Sequence, residues 1–64
     1  MVMLNSSAIA AADYDWLARQ LDITFTSGET YPYYGVPPGV YLGLIHSDSP
    51  GRYYHRYIRG RYGR

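Results

Sequence analysis

Arg52, His55, Arg56 and Arg59 carry the chain's clearest chemical signal. At about 100° per residue they fall in one helical sector about 100° wide. A guanidinium is a permanent cation whose planar fork fits phosphate or carboxylate, and it stacks on flat rings. A row of them is chemistry for holding an anion. Tyr53 and Tyr57 border the row, and Arg61 follows it. Tyr31 and Tyr33 form a second pair of rings, one residue apart. Rings beside guanidiniums suit unpaired bases, which stack for about 1–3 kcal/mol each with little regard to sequence. The candidate nucleic-acid-binding residues are therefore Arg52, Arg56, Arg59, Arg61, Tyr31, Tyr33, Tyr53 and Tyr57. The same types also have a structural use: tyrosine as a core filler with a polar tip, arginine as a solvated face.

Other chemistry finds little support. His46 and His55 lie nine positions apart with no carboxylate at metal-ligand spacing, and cysteine is absent. No metal, disulfide or other cofactor is expected. Asp13 and Asp15 would point to opposite faces if extended, and are expected to hold a turn. There is no paired carboxylate, no nucleophile with a base at a recognisable spacing and no glycine-rich phosphate loop. His55 lies on the arginine side of its helix, where an ordinary surface histidine belongs. A binding module is expected, not an enzyme.

Charge gives the same direction. Formal net charge is +1, yet residues 1–51 hold one arginine against five acids, and residues 52–64 hold five arginines and no acid. An anionic partner at the C-terminal end follows, with RNA or a single-stranded nucleic acid first. The alternative is a protein partner. Tyr and Arg are also enriched in interface hot spots. The acidic and basic parts could pair head to tail in a homo-oligomer, and an open sheet edge could accept a partner's strand. The modest total charge limits how many phosphates the chain can neutralise. No apolar run approaches a membrane span, and the MVML start has no basic leader. A soluble cytoplasmic protein with no membrane partner is expected.

The elements that must position these residues can be read in outline. Sixty-four residues make one small domain. Such a chain buries only about 60% of its unfolded surface, so aromatic packing or self-association must help. Residues 1–6 read as a flexible start and residues 7–62 as the domain, with a frayed tail over 61–64. Ser7 to Tyr14 is taken as a strand, and Asp13 to Asp15 as a turn. Leu17 to Thr26 alternates, with Leu17, Leu21, Ile23 and Phe25 on one face and Arg19 interrupting it. Ser27-Gly28 is a hairpin signal before a β-rich run over Thr30–Val36.

The hairpin's register is open. A two-residue loop sets Phe25 against Thr30 and turns Tyr31 and Tyr33 away from the core. A three-residue loop sets Phe25 against Tyr31 and Ile23 against Tyr33, and turns both rings inward. Pro32 cannot donate to a ladder, so this strand belongs at an edge or turns Pro32 to its unpaired side. Past Pro37-Pro38, Val40, Tyr41, Leu44 and Ile45 give a helical stripe, weakened at Gly39 and Gly43 by about 1 kcal/mol each. Ser49-Pro50 starts a second helix, with Ser49 as N-cap, that should run to Arg59 and stop at Gly60. The expected fold is α+β: a small three-stranded antiparallel sheet followed by two short helices packed on one face. Leu21, Ile23 and Phe25 should meet Leu44, Ile45, Tyr54 and Ile58.

The order of SSAIAAADYD, FTSGETYPY and GVPPGVYLGLIHSDSPGRYYHRYIRGRY resembles the KTSC domain, a family named after the C-terminal domain of lysyl-tRNA synthetases. The likeness runs from Ser6 to Tyr62. It rests on Tyr31-Pro32-Tyr33 together with Val36-Pro37, Ser49 to Gly51, and Ile58-Arg59-Gly60. The family also occurs as short stand-alone proteins in bacteria and phages. The resemblance implies a bacterial cell, with a phage gene as one source and a host protein as one partner in that case. It also implies RNA binding, the usual suggestion for the family, and no catalytic residues. Gly39 and Gly43 depart from it, standing where relatives usually carry better helix formers.

Overall fold

The fold is a computed structural model describing residues 1–62. Four antiparallel strands come first, β1 (Val2–Met3), β2 (Ile9–Asp15), β3 (Gln20–Phe25) and β4 (Thr30–Tyr33). They lie in the order β1-β2-β3-β4, so each strand neighbours the next in sequence. Helix α1 (Pro38–His46) follows, then α2 (Pro50–Tyr53), which runs directly into a π-helical segment (Tyr54–Ile58). The fold is thus α+β with two helical elements packed on one face, and the sheet has four strands where three are expected. The additional strand lies in the presumed flexible start, where Val2 pairs with Ala12 and Met3 with Ala11. Two residues carry too short a pattern for periodicity to be visible.

Strand β2 explains its own irregular sequence. Ile9 pairs with Phe25 but Ala11 pairs with Thr24, so Ala10 is an extra residue in the ladder. Such a bulge reverses the phase of the alternation. Ile9 faces the core before it, and Ala12 and Tyr14 face the core after it. Asp13 does not turn the chain, since it pairs with Asp22 within the ladder. The turn belongs to Asp15, whose Oδ1 accepts hydrogen bonds from the backbone N–H of Leu17 and of Ala18, each at 3.0 Å.

Strand β3 starts later than its alternation predicts. Leu17 lies in the preceding turn and is 97% exposed. Arg19 ends that turn in the left-handed region, at φ 56°. A turn residue interrupts no face, so the apolar side of β3 is Leu21, Ile23 and Phe25.

The β3–β4 register falls on neither expected alternative. Leu21 pairs with Tyr33, Ile23 with Tyr31 and Thr24 with Thr30. Thr26, Ser27 and Gly28 form the loop, closed by hydrogen bonds from Phe25 N to Glu29 O (2.8 Å) and from Gly28 N to Phe25 O (2.9 Å). Gly28 takes φ 100°, the positive angle that this three-residue hairpin requires. The pairing is shifted by two residues from the three-residue alternative. A shift of two preserves the face, so Tyr31 and Tyr33 do turn inward.

The core is one cluster. Ile9, Ala12, Tyr14, Leu21, Ile23 and Tyr33 of the sheet meet Val36, Tyr41, Leu44 and Ile58, with Phe25, Ile45 and Tyr54 packed against them. Seven of the seven side chains expected to meet across this interface are in that assembly. Tyr14 stacks on Tyr41 with ring centroids 4.7 Å apart and planes 8° from parallel. Its hydroxyl donates to the carbonyl of Val36. The other face of the sheet is polar, with Asp13 opposite Asp22 and the hydroxyls of Thr24 and Thr30 2.8 Å apart.

Candidate functional site

The last helix carries the arginines, and its geometry changes how they group. Pro50 begins it at the first helical position, as expected. Ser49 occupies the N-cap but makes no side-chain capping bond. From Tyr54 onward the hydrogen bonds lengthen to the π pattern, with Arg59 N donating to Tyr54 O at 2.9 Å. A π turn holds more residues than an α turn, so a wheel drawn at the α angle misplaces everything beyond it. The helix ends at Ile58 and Gly60 takes φ 75°, close to the expected stop.

The row of cations is therefore divided between two concavities. Arg52 and Arg56 line a shallow one of about 130 Å³ with Tyr53, Tyr57, Ser47 and Ser49. Arg59 and His55 line a larger cleft of about 390 Å³ with Phe25, Tyr31, Tyr33, Tyr54, Ala8 and Gly51. Arg61 joins neither lining, and its Nε donates to the backbone carbonyl of Arg56 at 3.3 Å. Arg61 N also bonds Ile58 O at 3.1 Å, and Tyr62 packs against the core, so the described part of the presumed frayed tail is held. Residues 63–64 lie outside the described residues.

All four candidate arginines are exposed. Among the described residues none of them pairs with a carboxylate, and the ion pair present is that of the Met1 amino group with Asp13 at 3.5 Å. Three of the five acids lie elsewhere, while Glu29 holds the Tyr31 hydroxyl at the larger cleft and Asp48 stands between Ser47 and Ser49. Asp13, Asp15 and Asp22 line a concavity of about 370 Å³ with Tyr14 and Gln20.

The candidate tyrosines differ among themselves. Tyr57 is 44% exposed and Tyr53 half-buried, with their centroids 4.7 Å apart. Burial, with Tyr57 and Tyr62 adding to it, raises the Tyr53 phenol above its ordinary 10.0. Tyr31 is half-buried, its hydroxyl donating to Glu29 Oε2 at 2.8 Å. Tyr33 is a core residue, 2% exposed, with its hydroxyl 2.7 Å from that of Tyr54. A ring enclosed to that degree offers no face for stacking, so Tyr33 leaves the set of stacking candidates.

Besides the small residues Ala8 and Gly51, three side chains of the cleft lie outside the candidate set read from the sequence. The sequence pattern places Phe25 and Tyr54 in the core, but both are half-buried and line the cleft. His55 is a surface histidine, as its place on the arginine side predicts, and its Nδ1 also lies 3.3 Å from Arg59 Nη1. The available signal was the four-residue spacing of His55 and Arg59, which places them together on one helical face. Among the described residues no cluster of His, Asp and Glu could hold a metal ion, and no helix is long and apolar enough to cross a membrane.

Comparison with known proteins gives these features a family. A KTSC domain protein from Yersinia pestis has the same fold, with a TM-score of 0.92 and 33% identity over 95% of this chain and 86% of that one. A protein of Tsukamurella paurometabola is 42% identical over 62 residues, 97% of this chain and 92% of its own length. A lysine–tRNA ligase of Nostoc punctiforme is 34% identical over 58 residues, 91% of this chain but 10% of the ligase. The KTSC domain model itself matches residues 5–62, so the chain belongs to the KTSC domain family.

Proposed function

We propose that this chain is a non-catalytic module that binds single-stranded nucleic acid, RNA first, along its last helix. One observation carries the reading: Arg52 and Arg56 are exposed with no carboxylate partner among the described residues and share a concavity with the exposed ring of Tyr57. Arg59, equally exposed and likewise without a carboxylate partner among them, stands at the neighbouring cleft. An arginine with no carboxylate partner keeps its charge available for phosphate, and an adjacent ring can take a base. The acids on the outer sheet face repel a polyanion and so favour the helix side. The kinship with a segment of lysine–tRNA ligases agrees with an RNA ligand, and a bacterial cytoplasm would supply one.

The test is titration of fluorescent single-stranded RNA and DNA at two salt concentrations. Measurable affinity that falls steeply with salt is expected. Absence of binding at low salt would reject the reading.

A second reading, a protein-interaction module, is favoured by the β2–β3 turn. Leu17 is 97% exposed and Trp16 57% exposed, next to Asp15. An apolar tip with an acidic neighbour fits a basic, aromatic surface on a partner protein or a second copy. Sedimentation at micromolar concentration tests self-association, and a dimer that salt dissolves is the expected sign.

A further inference from the structure

The larger cleft has the chemistry of a pocket for one nucleotide, an inference that rests on the single-strand reading above. Its wall is a continuous run of rings. Tyr31 contacts Phe25 at 5.9 Å, Phe25 contacts Tyr54 at 5.3 Å, and Tyr54 contacts His55 at 5.5 Å, with planes 58°, 76° and 68° apart. Tilted neighbours show both faces and edges, which suits a flat guest better than a long aliphatic one. Ala8 and Gly51 line the cleft with almost no bulk, and a side chain at Gly51 would begin 3.3 Å from Ala8 Cβ.

The rim is cationic. Arg59 and His55 are exposed and linked at 3.3 Å, so an anion at Arg59 also meets the imidazole. In this arrangement His55 Nδ1 accepts from the guanidinium, which leaves Nε2 to carry the ring proton as a donor. A volume of about 390 Å³ suits a small ligand rather than a protein surface. Rings, a small opposite wall and one guanidinium with an adjoining imidazole N–H at the rim match a flat group with an anion a short tether away. A nucleotide has that form.

We propose that this cleft receives one splayed-out base of the bound strand, stacked among Tyr31, Phe25 and Tyr54, with the neighbouring phosphate on Arg59 and His55. Arg52 and Arg56 then hold the strand's backbone on the other side of the helix without reading a base. Binding is sequence-tolerant at most positions but requires a base at one of them.

A ten-nucleotide oligouridine and a ten-residue abasic strand of equal charge separate the two contributions. The oligouridine is expected to bind at least about fivefold tighter, the lower end of one base stacking. Ala8→Phe, at an exposed position, should fill the cleft and lower the ratio, with abasic strands still held through Arg52 and Arg56. Tyr57→Ala should lower the ratio less than Ala8→Phe does. Equal affinities, or a ratio that Ala8→Phe does not lower, would overturn the cleft assignment while the single-strand reading stands. Failure of both strands to bind at low salt would remove that reading and the cleft with it. If Ala8→Phe does not fold, NMR of the unaltered protein with uridine 5′-monophosphate decides. Shifts at Phe25, Tyr31 and Tyr54 support the pocket, and shifts confined to Tyr53 and Tyr57 overturn it.

Discussion

The ring of Tyr53 occupies the space that a side chain at Gly43 would need. A Cβ at that position would lie 2.1 Å from the Tyr53 hydroxyl and 2.6 Å from its ring carbon Cζ. The two helices therefore meet through a bare backbone on α1 and an aromatic ring on α2. Gly43 lowers helix propensity, and close approach is what it supplies in return.

Gly39→Ala and Gly43→Ala should consequently move stability in opposite directions. No atom lies within 4 Å of a Cβ at Gly39, so alanine there should gain up to about 1 kcal/mol. Alanine at Gly43 should displace Tyr53 and lose about 1–3 kcal/mol, as overpacking does. Urea unfolding of the two variants measures both signs.

Leu17 and Leu21 give a matched test of where β3 begins. Leu17 is 97% exposed and Leu21 fully buried. Leu17→Ser should change stability by less than about 0.5 kcal/mol. Leu21→Ala should cost about 2–5 kcal/mol. Thermal melts monitored by circular dichroism would distinguish them without ambiguity.

Tyr14→Phe removes one oxygen. The Tyr14 ring stays stacked on Tyr41, but the buried bond to the Val36 carbonyl is lost. An unsatisfied buried acceptor should cost about 1–3 kcal/mol. Chemical denaturation of the variant, with an unchanged slope against denaturant, is the expected result.

Stability should decline in alkali. Burial raises the Tyr41 phenol above 10.0, with Asp13 adding to it, and burial likewise raises Tyr53. A phenol that is harder to ionise in the fold favours the native state below its unfolded value. That advantage fades as pH rises past about 10, where the unfolded chain loses its proton first. Unfolding free energies measured between pH 7 and pH 11 should fall only in the upper part of the range. A flat profile would contradict the burial of these hydroxyls.

Replacing Arg52 and Arg56 together by alanine should leave the fold intact, because both side chains are exposed. Affinity for single strands should fall at low salt. Losing two phosphate contacts should also flatten the plot of log affinity against log salt by about 1.4 units. Filter binding at four salt concentrations would measure that slope.

Most of the fold is legible from residue types, and the errors have local causes. Strand β3 shows its alternation plainly because one face is apolar and the other polar. Leu17 extends that pattern by coincidence, since the Asp15 turn intervenes. Strand β2 hides its alternation because Ala10 reverses the phase. The face that Tyr31 and Tyr33 take stays open in the sequence because it depends on loop length, and Gly28 decides it, its positive φ placing Glu29 across from Phe25. The candidate site is legible as composition and not as arrangement. Helical spacing collects the arginines, while the hydrogen bond that divides them, from Arg59 N to Tyr54 O, leaves no mark in residue type.

That bond also affects how relatives should be aligned. A homologue one residue shorter between Tyr54 and Ile58 could close the same stretch as an ordinary α turn. Its final arginine would keep its direction, since four residues of an α turn and five of a π turn each complete about one revolution. A relative of equal length without the π turn would instead carry that arginine to a different wall. For this segment the position of a gap carries as much meaning as the identity of the side chains.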